Sequence, residues 1–349
     1  MTAHVLRPHT VVGDHKVTTA EIADDVRTRH SDHPRLRAIL RVIGNSGVQT
    51  RYFTRPLGSP TVSGTADVDE RIRTAFADAL DMAERAAATA LDSAGLTARD
   101  IDAIITTHTT SWAVPNLDIH LVSRLGLRPD LRRVALTTVA CPGGTQALTR
   151  AADLVAARPD SKVLVVASEV LSSIYHHSDT TIESMIYKAL FGDAAAATIV
   201  TGTPLGPGLA IEDTFEYVLP DSLERQRGRI ATDGIHFDST KQVLAAVTDV
   251  LPRLLEWLGP RQLDFAVIHP GSPRIIGDTA DALHLDEHAA RHSTDTLRHE
   301  GNLGGVSILR VLERTHADPP GDGTHGAAIA FGPGFATAAV RCRWQDRGR

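Results

Sequence analysis

Cys141, His269 and Asn302 are the residues of this chain whose types and settings could do covalent chemistry. Cys141 stands in V-A-L-T-T-V-A-C-P-G-G-T-Q-A-L-T-R (Val134–Arg150), where an apolar strand pattern gives way to a helical one through Pro142-Gly143-Gly144. A thiol there faces the first backbone N–H groups of a helix and the positive end of its dipole, both of which favour thiolate. His269 follows the apolar run Phe265-Ala-Val-Ile268 in I-H-P-G. An imidazole beside a cysteine can hold it ionised. Asn302, in E-G-N-L-G-G (Glu300–Gly305), could aim an amide N–H at a carbonyl oxygen. Together the three suggest acyl transfer through a thioester.

Each has a plainer reading. A free cysteine is usually a small buried hydrophobe, which suits Cys342 on an expected final strand. His269 alone would be a histidine satisfied at a strand end, and Asn302 alone a helix N-cap. The Pro-Gly-Gly turn shifts the balance for Cys141, because glycines let backbone approach a ligand closely.

The elements that must position these residues follow an α/β alternation. In the first half, strands are expected at Ile101–Thr107, Val134–Ala140, Lys162–Ala167 and Ala194–Val200. Helices are expected between them at Asp118–Leu125, Gly144–Ala157 and Ile182–Leu190. The run Thr201–Gly208, rich in Gly, Pro and Thr, is kept by neither helix nor strand. The pattern then restarts: strand Leu209–Asp213, helix Gln242–Leu258, strand Asp264–His269, helices Ser272–Leu283 and Gly304–Thr315, strands Ala327–Phe331 and Ala336–Arg341. Cys141-Pro-Gly-Gly-Thr-Gln-Ala-Leu148 is echoed by Asn302-Leu-Gly-Gly-Val-Ser-Ile-Leu309, and Gly192–Ile199 loosely by Gly326–Phe331. Such echoes mark divergent duplication. The expected organisation is therefore two similar halves, 1–205 with the cysteine and 206–349 with the histidine and asparagine. Equivalent helix starts would bring Cys141 and Asn302 to one central site.

Composition limits the alternatives. The chain has 349 residues, 42% hydrophobic and 22% charged, enough for a large globular core. A net charge of −6 argues against non-specific nucleic-acid binding. Two widely separated cysteines make neither a disulfide framework nor a zinc motif and suit a reducing cytoplasm. The first residues carry no basic segment followed by an apolar run, so no signal peptide is expected. No apolar stretch reaches membrane-spanning length. Among 17 histidines, the pair His176-His177 and the run His284, His288, His292, repeating at helical spacing on an expected helix, could hold a metal. The alanine, aspartate and arginine around that run favour a solvated face, and no metal is expected.

Taken together, these segments resemble the type III polyketide synthases, the chalcone-synthase-like branch of the thiolase-fold condensing enzymes. Cys141 matches the family's acyl-carrying cysteine. A-L-F-G-D-A-A-A-A places Phe191 on the gatekeeper position, and H-P-G-S-P-R-I-I (His269–Ile276) matches the histidine motif. G-N-L-G-G-V-S-I-L places Asn302, and F-G-P-G (Phe331–Gly334) matches the loop near the C-terminus. L-R-V-I-G-N-S-G-V-Q-T-R-Y-F (Leu40–Phe53) looks like the bacterial members, including the tetrahydroxynaphthalene synthases. A fatty-acid-type ketosynthase III would normally read H-Q-x-N where this chain reads H-P-G.

The resemblance implies a thiolase-like αβαβα layered fold, a homodimer and no permanently bound cofactor. The substrates it implies are acyl-CoA and malonyl-CoA, or carrier-protein thioesters. A starter acyl group would move to the Cys141 thiolate, which His269 keeps ionised. Malonyl-CoA would then be decarboxylated with its thioester oxygen between His269 and Asn302, and the enolate would attack the Cys141 thioester. Phe191 would wall off the departing carboxylate. Arg41 matches a family position that meets coenzyme A phosphates, and Arg274 is a second candidate. A neighbouring family lysine is Asn45 here.

Other departures bear on the product. Gly304-Gly305 replace two small hydroxyl residues, which is expected to widen the site. Leu171 takes a cavity-lining position often filled by threonine or cysteine. Trp112 is larger than the usual residue in a loop near the dimer contact. Ile235–Val243 lacks a Val-Pro often found there. Two rival readings follow: an acyltransferase that passes its acyl group on without elongation, and a catalytically silent partner of an active paralogue.

Overall fold

The computed structural model describes residues 2–240 and 242–346; Lys241, inside the Ile235–Val243 segment, lies outside the described residues. The strands that matter here are β1 (Ala3–Val5), β2 (Ala103–His108), β3 (Arg132–Thr137), β4 (Lys162–Glu169), β5 (Ala194–Thr201), β6 (Gly208–Val218), β7 (Gln226–Ala231), β8 (Gly234–Ser239), β9 (Phe265–Ile268), β10 (His325–Gly332) and β11 (Ala336–Gln345). The helices that matter here are α1 (Val68–Ala94), α2 (Gly143–Ala157), α3 (Ile182–Leu190), α4 (Pro273–Ala282) and α5 (Ser307–Ala317).

One long mixed sheet runs β9-β10-β11-β6-β1-β5-β4-β2-β3. On one arm β2 lies parallel to β3 and β4, and β4 is antiparallel to β5. On the other, β9 is parallel to β10, and β11 is antiparallel to both β10 and β6. β1 joins the arms by pairing with β5 and β6. The inner strands are continuous apolar runs because both faces are covered. Alternate residues of one strand therefore enter different cores. Ala103 and Ile105 of β2 face the central layer with Ala147, Leu148, Ile308 and Leu309. Ile104 faces the outer layer with Ala83, Ala86 and Ala87 of α1. On the second arm Val267 points inward, while Ala266 and Ile268 point outward to Val247, Val250 and Leu254. Helices α2 and α5 thus fill the middle of five layers, α-β-α-β-α.

Four sequence expectations change. α1 is absent from the periodicity reading because its buried stripe is mostly alanine, a weak hydrophobic signal; Asp67 caps its start and Gly95 ends it. The expected helix from Gly304 opens as a separate 3-10 turn (Gly304–Val306), and α5 starts at Ser307. His284, His288 and His292 do not share a helix. His284 takes φ 55° just beyond α4, and the next helix starts at Arg291. Strand pairing also extends β6 to Val218, beyond the expected Asp213, because β11 lies along its whole length. Among the described residues no helix is long and apolar enough to cross a membrane.

Candidate active site

Cys141 is placed by a strained elbow between β3 and α2. Thr138 and Ala140 take left-handed φ of 59° and 55°, conformations that cost side-chain-bearing residues about 1–3 kcal/mol and cluster at functional sites. The turn is held on both sides: Ala140 N–H donates to Thr109 Oγ1 at 2.9 Å, and the Ala140 carbonyl accepts from Gly143 N–H at 2.9 Å. The glycines after Cys141 serve packing. A Cβ on Gly144 would stand 2.3 Å from the Gly305 carbonyl oxygen, so the Cys141 helix start lies directly against the turn that follows Asn302.

Asn302 is locked through its backbone and its side chain. Its N–H donates to the Leu190 carbonyl at 2.8 Å, and its carbonyl accepts from Gly192 N–H at 3.1 Å, an isolated bridge beside Phe191. Its Oδ1 accepts from Gly304 N–H at 2.9 Å. Capping and presentation are therefore one arrangement: the oxygen is tied down by the Gly304 N–H, and Asn302 favours the charged form of the Cys141 thiol.

His269 ends β9. Its N–H donates to the Ile329 carbonyl at 2.8 Å, its side chain is buried, and Nδ1 has no partner among the described residues. Among the described residues no carboxylate orients the ring, unlike a Ser-His-Asp arrangement.

The electrostatics differ from the sequence expectation of a ready thiolate. Burial, and after it Glu169, push the Cys141 thiol up to about 12, although its own backbone N–H and Asn302 favour the charged form. Burial pulls His269 down to about 3. Desolvation outweighs the helix start, so the resting pair is neutral thiol and neutral imidazole.

Cys141 opens on a narrow cavity lined by Glu169, Leu171, Phe191, Gln226 and Phe237 among others. Gly304 borders it at φ 57°, and a Cβ there would lie 3.3 Å from Leu171 Cδ1 and 3.2 Å from Glu169 Cγ. The expected widening at Gly304-Gly305 does not occur at Gly304, because Leu171 and Glu169 fill that space. Trp112 is 68% exposed and is not among the cavity-lining residues. Arg41 and Arg274 are exposed outside the cavity. They sit on neighbouring elements: a Cβ on Gly47, just past the Arg41 helix, would lie 2.4 Å from Pro273 Cγ at the start of α4.

Glu169, Gln226 and Phe237 escaped the sequence reading. Glu169 left one signal, an acid closing the apolar run V-L-V-V-A-S-E. Its Oε2 accepts from Thr109 N–H, Thr110 N–H and Thr110 Oγ1, Oε1 has no partner among the described residues, and burial raises the group to about 7. Gln226 and Phe237 come from a hairpin, β7–β8, whose apolar alternation is confined to Ile235 and Phe237, too short to mark a strand pair. His176 bears on metal binding: it stacks on His236 at 4.3 Å and 11°, while His236 Nε2 donates to Asp233 at 2.8 Å. Potential ligand atoms of the three lie within 4.8 Å of one another. Parallel rings aim their nitrogens side by side rather than at one point, which fits a latch for the hairpin.

A mixed αβαβα fold with a cysteine elbow, a buried histidine and a locked asparagine defines a thiolase-type condensing enzyme. The profile of chalcone and stilbene synthases, N-terminal domain, matches residues 2–204, and that of the C-terminal domain matches residues 210–343. The chain is 33% identical to the 1,3,6,8-tetrahydroxynaphthalene synthase of Streptomyces coelicolor, over 98% of this chain and 92% of that protein. It is 30% identical to the phloroglucinol synthase of Pseudomonas fluorescens, over 97% and 98%. Among solved structures, germicidin synthase from Streptomyces coelicolor superposes with a TM-score of 0.93 at 31% identity, covering 99% of this chain and 100% of that one. The chain belongs to the chalcone and stilbene synthase family, the type III polyketide synthases, and is an acyltransferase-class enzyme.

Proposed function

We propose that the protein loads an acyl group from coenzyme A onto Cys141 and extends it by decarboxylative condensation with malonyl-CoA. The observation that carries this is the close packing of the two helix starts, Gly144 against the Gly305 carbonyl, which brings Asn302 beside Cys141 where the thiol borders a mostly apolar cavity. As the acyl thioester arrives, the Cys141 proton passes to His269. The thiolate attacks the carbonyl, the C–S bond to coenzyme A breaks, and the leaving thiolate takes the proton back from the imidazolium. Malonyl-CoA then places its thioester oxygen toward the Asn302 amide and His269. Loss of CO₂ puts negative charge on that oxygen, and each preorganised donor is worth roughly 2.7–4 kcal/mol. The enolate carbon attacks the Cys141 thioester, a C–C bond forms, the C–S bond to Cys141 breaks and Cys141 leaves as thiolate; the β-ketoacyl chain, now on coenzyme A, is loaded back onto that thiolate for a further round. Phe191, 6% exposed, gives the departing carboxylate an apolar wall. The route needs no metal and no permanently bound cofactor.

Arg41 and Arg274, exposed on adjacent elements, are suited to the coenzyme A phosphates; Arg274 is shared with Asp278 at 3.1 Å. The working unit is a homodimer, with the two halves 1–205 and 206–349 of each chain forming one catalytic body. What supports a second copy is an apolar loop, Trp112 at 68% and Val114 at 91% exposure, beside β3 at the open edge of the sheet. Two free cysteines suit a reducing cytoplasm.

The test is intact-protein mass after incubation with a panel of acyl-CoAs and malonyl-CoA, for wild type and Cys141→Ala. An acyl adduct confined to wild type, with CO₂ and extended products, is expected. An adduct without CO₂ would replace this reading with simple acyl transfer.

A further inference from the structure

The wall of the cavity facing Cys141 is built mainly from Leu171, Phe191 and Phe237. Phe191 stacks on Tyr187 at 5.2 Å and 9°, and Phe237 packs edge-on against Phe191 at 6.3 Å and 67°. Into this apolar wall one carboxamide opens. Gln226 Nε2 donates to the Tyr187 hydroxyl at 3.3 Å, and among the described residues that is the side chain's only hydrogen bond. A carboxamide offers two N–H donors and an oxygen with two lone pairs. Among the described residues the rest of that capacity has no protein partner, and Gln226 lines the cavity, where an unmet polar group is costly once substrate displaces water.

The amide is held there by its surroundings. Gln226 pairs with Ser239 across the β7–β8 hairpin, and His236 of the same hairpin is fixed by Asp233 and by its stack on His176. Tyr187, 9% exposed, fixes which N–H of Gln226 is used up.

We infer that Gln226 is a specificity-determining residue of this enzyme: its carboxamide, steered by the Tyr187 hydroxyl, binds a keto oxygen of the acyl chain held on Cys141. The inference rests on the proposed acyl loading. A saturated starter chain has no oxygen to offer that amide. The ketone created by the first condensation does, so Gln226 acts after loading. It retains the β-ketoacyl chain for another extension instead of early release. Tyr187 is a positioning residue that acts through Gln226.

The experiment compares wild type with Gln226→Leu, which keeps size and removes the amide, and Tyr187→Phe, which keeps the ring stack and removes the hydroxyl. Acyl adducts on Cys141 are read by intact mass, and products by chromatography and mass after supplying malonyl-CoA. Both variants should still form the acyl adduct on Cys141. The ratio of multiply extended products to first-condensation products should fall about fivefold in Gln226→Leu, the worth of one neutral hydrogen bond, and less in Tyr187→Phe. Normal loading with an unchanged ratio in either variant overturns the inference and leaves acyl loading standing. A wild-type protein that forms no adduct overturns both. If Gln226→Leu fails to fold, Tyr187→Phe decides alone.

Discussion

Leu171 Cδ1 lies 3.3 Å from the point where a side chain on Gly304 would begin. Leu171 thus fills space on the side where the chain carries a glycine. Leu171 and Gly304 both line the cavity that holds Cys141, with the leucine occupying the space beside the glycine.

Replacing Leu171 should therefore change what the cavity accepts. Leu171→Ala removes a side chain that is 4% exposed, at a cost of about 2–5 kcal/mol in stability, less if substrate refills the space. Longer acyl-CoAs should load faster relative to acetyl-CoA than in wild type. Thermal melts and a competition assay between short and long acyl-CoAs check both parts; an unchanged length preference would show that Leu171 does not bound the cavity.

Gly144 tests the contact between the two helix starts. Gly144→Ala would put a methyl 2.3 Å from the Gly305 carbonyl oxygen, and backbone cannot rotate away as a side chain can. Stability should fall by about 1–3 kcal/mol or more. Cys141 acylation should fall with it, because the same shift displaces Asn302. Denaturant unfolding together with the acylation rate reads this. A variant as stable as wild type would mean that the two starts are not in contact.

Glu169 sets a pH dependence. Its carboxyl rises from an ordinary 4.5 to about 7, through burial. The folded state therefore binds this proton more tightly than the unfolded chain does. The stabilisation is complete below about pH 4.5 and is lost as pH climbs to about 7, a change of about 3 kcal/mol. Glu169→Gln should flatten the stability profile across that window. It should also speed alkylation of Cys141 by iodoacetamide above neutral pH, since the carboxylate holds the thiol up. Equal alkylation rates in the two proteins would remove Glu169 from the thiol's electrostatics.

The exposed loop tests the dimer. Trp112→Arg places a charge in an apolar patch that includes Val114. If this patch meets a second copy, sedimentation should show dimer in wild type and mainly monomer in the variant, with Cys141 still able to bind iodoacetamide. Two monomeric proteins would place the apolar loop outside any self-association.

Much of the site was legible because its residues sit at changes of pattern. Cys141, His269 and Asn302 each stand where an apolar run meets a glycine-bearing turn, and such junctions survive in one dimension. Helices such as Ile182–Leu190 were equally plain, since their buried faces carry large side chains at helical spacing. α1 was hidden because alanine contributes little to a hydrophobic pattern, yet small side chains let it lie close on β4 and β5.

By itself, then, the sequence determined the alternating elements, the two echoed helix starts and the identity of the thiol, imidazole and amide, because these are local properties of residue type and spacing. Only the tertiary structure decided how they are charged and what surrounds them. Desolvation depends on everything packed around a group, so the neutral state of Cys141 and His269 could not be read from the helix start alone. The cavity wall joins Glu169, Leu171, Phe191, Gln226 and Phe237 from separate stretches of chain, and only the fold brings those side chains together.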